Sequence, residues 1–275
     1  MKFVEIDDDR RQNIAGAKSG AEWMSLLTNS LRGAMRWSGF DITRYPPLHS
    51  NLGRMKRILD FHHINLVIDV GANEGQFGHA LRVLGYLGSI VSFEPLNRAH
   101  RELERVCSHD STWIAAPRMA LGRISGEVSM NVAENLESSS VLPMSSLHRE
   151  AAPASKYRST ETVPIHVLDD VALQYFTGTS LALLKIDTQG FEAEVLAGAN
   201  ELLSRTECVQ LEMSLAELYE GQATYLDLIQ VMSGKDFTLI DLIPGFTDPR
   251  SGHLLQADGL FAKKRAPETM SGIRT

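Results

Sequence analysis

The run Leu66-Val67-Ile68-Asp69-Val70 is apolar but for one carboxylate. A short run of that kind suits a strand buried on both faces of a parallel sheet. Helical spacing follows it. Phe77, Ala80, Leu81 and Leu84 share one face, and Gly85 ends the pattern. A second strand, Ser89-Ile90-Val91-Ser92-Phe93, leads into a polar helix over 97–107. The same reading predicts strands at 113–116, 127–132, 163–168, 181–186 and 208–212, and helices at 52–61, 191–203 and 224–233. Strands at 237–243 and 259–263 close the series without a helix between them. Alternating strands and helices predict an α/β fold with a doubly wound parallel sheet, and the missing last helix predicts an antiparallel edge strand.

Outside this pattern lies residues 1–48. There Trp23, Leu26, Leu27, Leu31 and Met35 form one apolar stripe, and Tyr45-Pro46-Pro47 ends it. The stripe predicts an N-terminal helical arm that packs over the main domain, covers a substrate or meets a second copy in a homodimer. The main domain is expected over 49–265, with a polar, loose tail over 266–275.

Bulk composition narrows the possible functions. The chain has 275 residues, 43% hydrophobic and 22% charged, as in an ordinary globular protein. A net charge of −7 argues against a broad phosphate-binding surface, so no nucleic-acid partner is expected. The two cysteines, Cys107 and Cys208, have neither disulfide-framework nor zinc-site spacing. No apolar run approaches the roughly 20 residues of a membrane span. The acidic start, Met1 to Asp9, lacks the apolar segment of a signal peptide, so a cytoplasmic location is expected.

The candidate chemistry begins in the loop Asp69-Val70-Gly71-Ala72-Asn73-Glu74-Gly75-Gln76-Phe77, between a buried strand and a helix. Doubly wound folds bind ligands at that position. In a dinucleotide fingerprint the second glycine admits a pyrophosphate, but this chain has Asn73 there. Asp69 would also repel a diphosphate, which disfavours an NAD-linked oxidoreductase. A carboxylate beside a glycine loop fits S-adenosylmethionine instead, with Asp69 or its water for the ammonium and backbone N–H groups for the carboxylate. Glu94 ends the second strand in Phe93-Glu94-Pro95 and can accept from both ribose hydroxyls.

These segments resemble the cofactor motifs of the FkbM family of methyltransferases. Ala120-Leu121-Gly122 and Ser138-Ser139-Ser140 resemble the family's middle motifs, and Val209-Gln210-Leu211-Glu212 and Asp258-Gly259-Leu260-Phe261 are also similar to it. Lys185-Ile186-Asp187-Thr188-Gln189-Gly190-Phe191-Glu192 is the most specific match. The resemblance covers about 50–263. It implies a class I, Rossmann-like seven-stranded fold and S-adenosylmethionine-dependent methylation of an oxygen, such as a hydroxyl of a sugar in a glycolipid, polysaccharide or natural product. It also implies a cofactor site of Asp69, Gly71, Asn73, Gly75, Gln76, Phe77, Glu94, Pro95, Leu96, Ala120, Leu121, Asp187 and Gln189. S-adenosylhomocysteine would be the product. After Pro95 this chain has Leu96-Asn97 where many relatives have another proline.

On the acceptor side, Asp187 ends the fourth strand, where it could orient or deprotonate the acceptor, contact the cofactor ammonium or cap the next helix. Lys185 shares its face and either pairs with it or lies along the sheet. His148 and then Glu212 are the next candidates for the base. Ser139, Ser140 and Glu212 are the candidate acceptor contacts. Asp169, Asp170, Asp187 and Glu212 offer oxygens suited to Mg²⁺, but the expectation is no metal site. The expected partner is a small-molecule or glycan acceptor. The rival readings are a non-sugar acceptor, namely a polyketide hydroxyl or an amine, and a non-catalytic cofactor-binding protein.

Overall fold

Each short apolar run becomes a strand of one seven-stranded sheet. In a computed structural model, which describes residues 50–264, the sheet has the order β3-β2-β1-β7-β8-β10-β9. Its strands are β1 (Leu66–Val70), β2 (Ser89–Phe93), β3 (Trp113–Ala115), β7 (Ala182–Ile186), β8 (Thr206–Ser214), β9 (Phe237–Pro244) and β10 (Gln256–Lys263). Pairing is parallel from β3 through β8. The closing strands supply the antiparallel edge that the missing helix predicts: β10 enters between β8 and β9 and runs antiparallel to both.

Helices cover the sheet. Among them are α1 (Asn51–Phe61), α2 (Gln76–Val83), α3 (Asn97–Cys107) and α8 (Tyr225–Gly234). Every residue of β1 and β7 is buried, as strands covered on both faces require. Ile68, Val70, Leu184, Ile186, Val209 and Leu211 pack on one face, and Val67, Ile90, Leu183, Cys208 and Leu260 on the other. Full burial of such a side chain contributes about 1.5–3 kcal/mol. Cys107 and Cys208 are both buried.

Two predicted strands leave this sheet. Gly126–Ala133 (β5) and Tyr157–Val167 (β6) join Ala120–Gly122 (β4) in a separate three-stranded sheet, order β4-β6-β5. Strand propensity does not specify which sheet a strand joins, since pairing depends on distant partners. The remaining short helices are α4 (Ser146–Ala151), α5 (Leu168–Ala172), α6 (Glu192–Ala197) and α7 (Asn200–Ser204).

The helix expected over 191–203 is broken into α6 and α7. Gly198 sits at the break, where a Cβ would lie 2.2 Å from the carbonyl oxygen of Gly122. Close approach of another backbone, which the apolar periodicity does not reveal, interrupts the helix. The predicted arm over 1–48 and tail over 266–275 lie outside the described residues. Among the described residues, no helix is long and apolar enough to cross a membrane.

Candidate functional site

Beyond the carboxyl ends of β1, β2, β7 and β8 lies a cavity of about 500 Å³. Its wall includes Gly71, Asn73, Gln76 and Phe77 from the first loop, Glu94, Pro95 and Leu96 from the second, and Ala120 and Leu121 from β4. Ser138, Ser139, His148, Asp187, Gln189 and Glu212 line it as well. Most residues predicted from the sequence therefore converge on one cleft.

Asp69, Gly75 and Ser140 do not reach this wall. Asp69 has no exposed surface and accepts from Ser92 Oγ at 3.1 Å, with Lys185 Nζ 3.3 Å away. Its carboxylate is withdrawn from the wall and paired with Lys185, whose ammonium also reaches the Gly71 carbonyl of the loop. Gly75 is the left-handed residue (φ 92°) that starts α2. Ser140 is fully buried; its hydroxyl donates to the Gln189 carbonyl at 2.6 Å and accepts from the Leu142 N–H.

Register explains the burial of Asp69. Ser92, Asp69, Lys185 and Gln210 stand opposite one another across β2, β1, β7 and β8, so one polar rung crosses the sheet. Lys185 is its central cation. The ammonium lies 3.2 Å from the Gly71 carbonyl oxygen, 3.3 Å from Asp69 and 3.4 Å from Asp187, over the Phe77 ring. Desolvation opposes its charge, but Asp187 and Asp69 outweigh that and raise its pKa. Lys185 thus pairs with carboxylates on two strands. Its place in the wall was not assigned from sequence, although its shared face with Asp187 was the available signal.

The first loop is pinned tightly. A Cβ on Gly71 (φ +76°) would lie 1.8 Å from the Asp187 carbonyl oxygen, so only glycine lets the loop after β1 touch the loop after β7. Asn73 (φ 49°) and Gln189 (φ 55°) are non-glycine residues in left-handed conformation, both on the cavity wall. Such backbone costs roughly 1–3 kcal/mol and concentrates at functional sites.

Glu94 is buried and accepts one backbone N–H on each oxygen, Asn73 at 2.9 Å and Leu96 at 2.8 Å. Burial pushes its pKa up to about 7, against those two hydrogen bonds. Each oxygen keeps an acceptor lone pair. The apolar wall of Leu96, Met119, Ala120 and Leu121 stands beside it. Asn73 Oδ1 is a buried acceptor on the cavity wall without a protein partner.

Asp187 does not cap the helix that follows. Glu192 folds back instead and accepts from Thr188 N, Thr188 Oγ1 and Gly190 N at 2.9, 3.2 and 3.1 Å. Asp187 is left facing the cavity. Gln189 Nε2 bridges Asp187 Oδ1 at 2.8 Å and Glu212 Oε2 at 2.7 Å, while Gln189 Oε1 accepts from the Tyr219 hydroxyl at 2.7 Å. Desolvation, then the charges of Asp187, Glu192 and Asp258, raise the Glu212 pKa well above the carboxylate range. His148 is buried edge-on to Tyr219, and burial lowers its pKa to about 4. It is a neutral, weakly basic imidazole near pH 7. Ser139 Oγ accepts from the Ala133 N–H and keeps its own proton to donate.

The Mg²⁺ alternative loses one member, because Asp169 accepts from the Glu201 and Leu202 N–H groups at the start of α7. Among the described residues, no three His, Cys, Asp or Glu side chains are placed to hold a metal ion.

A comparison with protein families matches residues 69–239, more than half of the chain, to the methyltransferase FkbM domain. The chain belongs to the FkbM methyltransferase family. This FkbM-family methyltransferase has no significant match among functionally curated proteins. Among solved structures it is similar to TehB from Haemophilus influenzae, at 10% identity and TM-score 0.42, covering 77% of this chain and 62% of that one. A second is an rRNA methylase from Streptococcus thermophilus, at 10% identity and TM-score 0.41, covering 82% and 100%. A third is the 1,6-didemethyltoxoflavin-N1-methyltransferase of Burkholderia thailandensis with S-adenosylhomocysteine, at 10% identity and TM-score 0.38, covering 91% and 93%.

Proposed function

We propose that this FkbM-family methyltransferase transfers a methyl group from S-adenosylmethionine to a hydroxyl oxygen, with a sugar as the preferred kind of acceptor. The observation that carries this reading is the paired-carboxylate arrangement Asp187–Gln189–Glu212, which lines the same cavity as Glu94 two and three strands further along the sheet.

The residues fit the cofactor. Glu94 offers a free lone pair on each oxygen for two ribose hydroxyls, and the apolar wall of Leu96, Met119, Ala120 and Leu121 suits a purine. Asn73 Oδ1, an unpartnered buried acceptor at the glycine loop, suits an ammonium group. When bound, S-adenosylmethionine supplies an electrophilic methyl group on a positively charged sulfur.

A hydroxyl is a weak acid, so the chain must hold it in line and take its proton. Glu212 is the proposed proton acceptor, since withdrawal from water and three neighbouring carboxylates raise its proton affinity. Asp187, ion-paired with Lys185, orients the hydroxyl, and Gln189 fixes the spacing of the two carboxylates. This exchanges the order expected from sequence, where Asp187 ranks first. His148 becomes a poor base, because burial keeps it neutral by depressing its proton affinity.

The test is to incubate the protein with methyl-labelled S-adenosylmethionine and panels of methyl glycosides, phenolic polyketide hydroxyls and primary amines. Label appearing on glycoside oxygen is expected. Label on amines alone would overturn O-methylation, and binding of NADH in place of S-adenosylmethionine by calorimetry would overturn the cofactor assignment.

A further inference from the structure

Four residues that line the cavity each carry a buried polar atom without a protein partner: Asn73 Oδ1, His148 Nδ1, Gln210 Oε1 and Gln256 Nε2. Buried polar groups are nearly always satisfied, so each exception calls for an explanation. Asn73 belongs with the cofactor loop. The other three lie elsewhere.

Sheet order locates two of them. Gln210 is on β8 and Gln256 on β10, three and four strands from β2, where Glu94 stands. At about 4.8 Å per strand, they lie roughly 14 and 19 Å from the Glu94 strand. Register places Glu212 opposite Asp258, and Ser214 opposite Gln256. Gln210, Glu212, Asp258 and Gln256 therefore share one face of the β8–β10 ladder. Both glutamines are only 5% exposed.

The two amides are not interchangeable. Gln210 interacts with the Asp258 carboxylate through its side chain, and its amide oxygen is a buried acceptor without a protein partner. Gln256 presents a bare donor. Asp258 is held up to about 6 by desolvation and by Asp187, so it accepts, and after protonation donates, near neutral pH. His148 adds a ring nitrogen beside Phe246, whose ring centroid is 5.7 Å from its own. A ligand that satisfies this wall must both donate and accept at neighbouring points and carry no net charge. An anion meets Glu212 and Asp258, and an ammonium group has nothing to give Gln256.

We infer that Gln210, Asp258 and Gln256 form an acceptor subsite that reads hydroxyls flanking the methylated one on a neutral polyhydroxylated ring. This rests on the O-methyltransferase reading above and adds the residues that select among acceptors. Each ring hydroxyl donates to one wall group and accepts from another. The order donor, acid, acceptor along the ladder makes the subsite sensitive to hydroxyl configuration.

The test uses saturation-transfer NMR on the full chain loaded with S-adenosylhomocysteine. The probes are methyl glycosides of gluco, galacto and manno configuration, with propylammonium and acetate alongside. Calorimetry of S-adenosylhomocysteine and thermal melting are run on every sample. The wild type should saturate one configuration above the others and neither charged probe. Gln210→Met and Gln256→Met should each weaken that glycoside about tenfold, the scale of one lost hydrogen bond. They should leave S-adenosylhomocysteine affinity within about twofold, as expected for sites without shared partners. Glycoside binding unchanged in both variants overturns the subsite, as does binding of propylammonium alone. If S-adenosylhomocysteine itself fails to bind a folded wild type, the O-methyltransferase reading falls first and the subsite falls with it.

Discussion

The two halves of the cavity are built in opposite ways. On the β1–β2 side a single buried carboxylate, Glu94, is held by two backbone N–H groups from its own and the neighbouring loop. On the β7–β8–β10 side, Asp187, Glu212 and Asp258 crowd around side chains, with Gln189 between the first two. Backbone donors come with the fold and tolerate sequence change, so they suit a ligand common to a whole family. Side-chain networks are specified residue by residue and suit a ligand that differs between relatives.

The largest expected effect breaks the second half alone. Glu212→Gln removes the proposed proton acceptor while keeping a partner for Gln189, so kcat should fall by about 10²–10⁴-fold. S-adenosylhomocysteine affinity should stay near that of the wild type. Unchanged kcat would return the base role to Asp187 or His148. The next breaks the first half alone. Glu94→Ala should weaken S-adenosylmethionine by about 1.5–3 kcal/mol, the scale of hydrogen bonds to a charged group, and equal affinities in calorimetry would remove Glu94 from the site. The smallest sharpens the coupling within the second half. Glu212 works as a base only when ionised, so the rate should decline as pH falls through its raised pKa. Asp187→Asn removes a like charge that lifts that pKa, and the acid limb of the residual rate should move to lower pH. An unmoved limb would show that another group controls it.

How far each half could be read from sequence follows the same division. The β1 strand, the glycine loop and Glu94 are written in short consecutive segments, where local periodicity and turn residues act directly. Asp187 and Glu212 were legible because Asp187 follows β7 directly and the apolar run of β8 stops at Glu212, although β8 itself continues to Ser214. The full burial of Asp69 was not legible, because it depends on Ser92 and Lys185, which reach it only through sheet register. Gln210 and Gln256 carried no signal: a lone glutamine in an apolar strand gains meaning only from the residue opposite it. The second sheet and the break at Gly198 were hidden for a related reason. Both arise from backbone segments distant in sequence that meet in space.

The path of the chain between β8 and β10 has a consequence for how such a protein can change. It leaves β8 after Ser214, forms α8 and the edge strand β9, and turns back into the sheet at Gln256, and this segment is closed at its base by the Leu215 N–H donating to the Leu255 carbonyl at 2.8 Å. Closing a flexible segment costs little more when it lengthens, about 0.6 kcal/mol for each doubling. The exposed turn over 249–253, between β9 and β10, can therefore accept insertions or exchanges of sequence at small cost to the fold. The strand that follows it carries Gln256 and Asp258, so drift in this detour reaches the acceptor wall and leaves β1 and β2 untouched. New acceptor preferences have an evolutionary entry point there, remote from the loop that holds the shared cofactor.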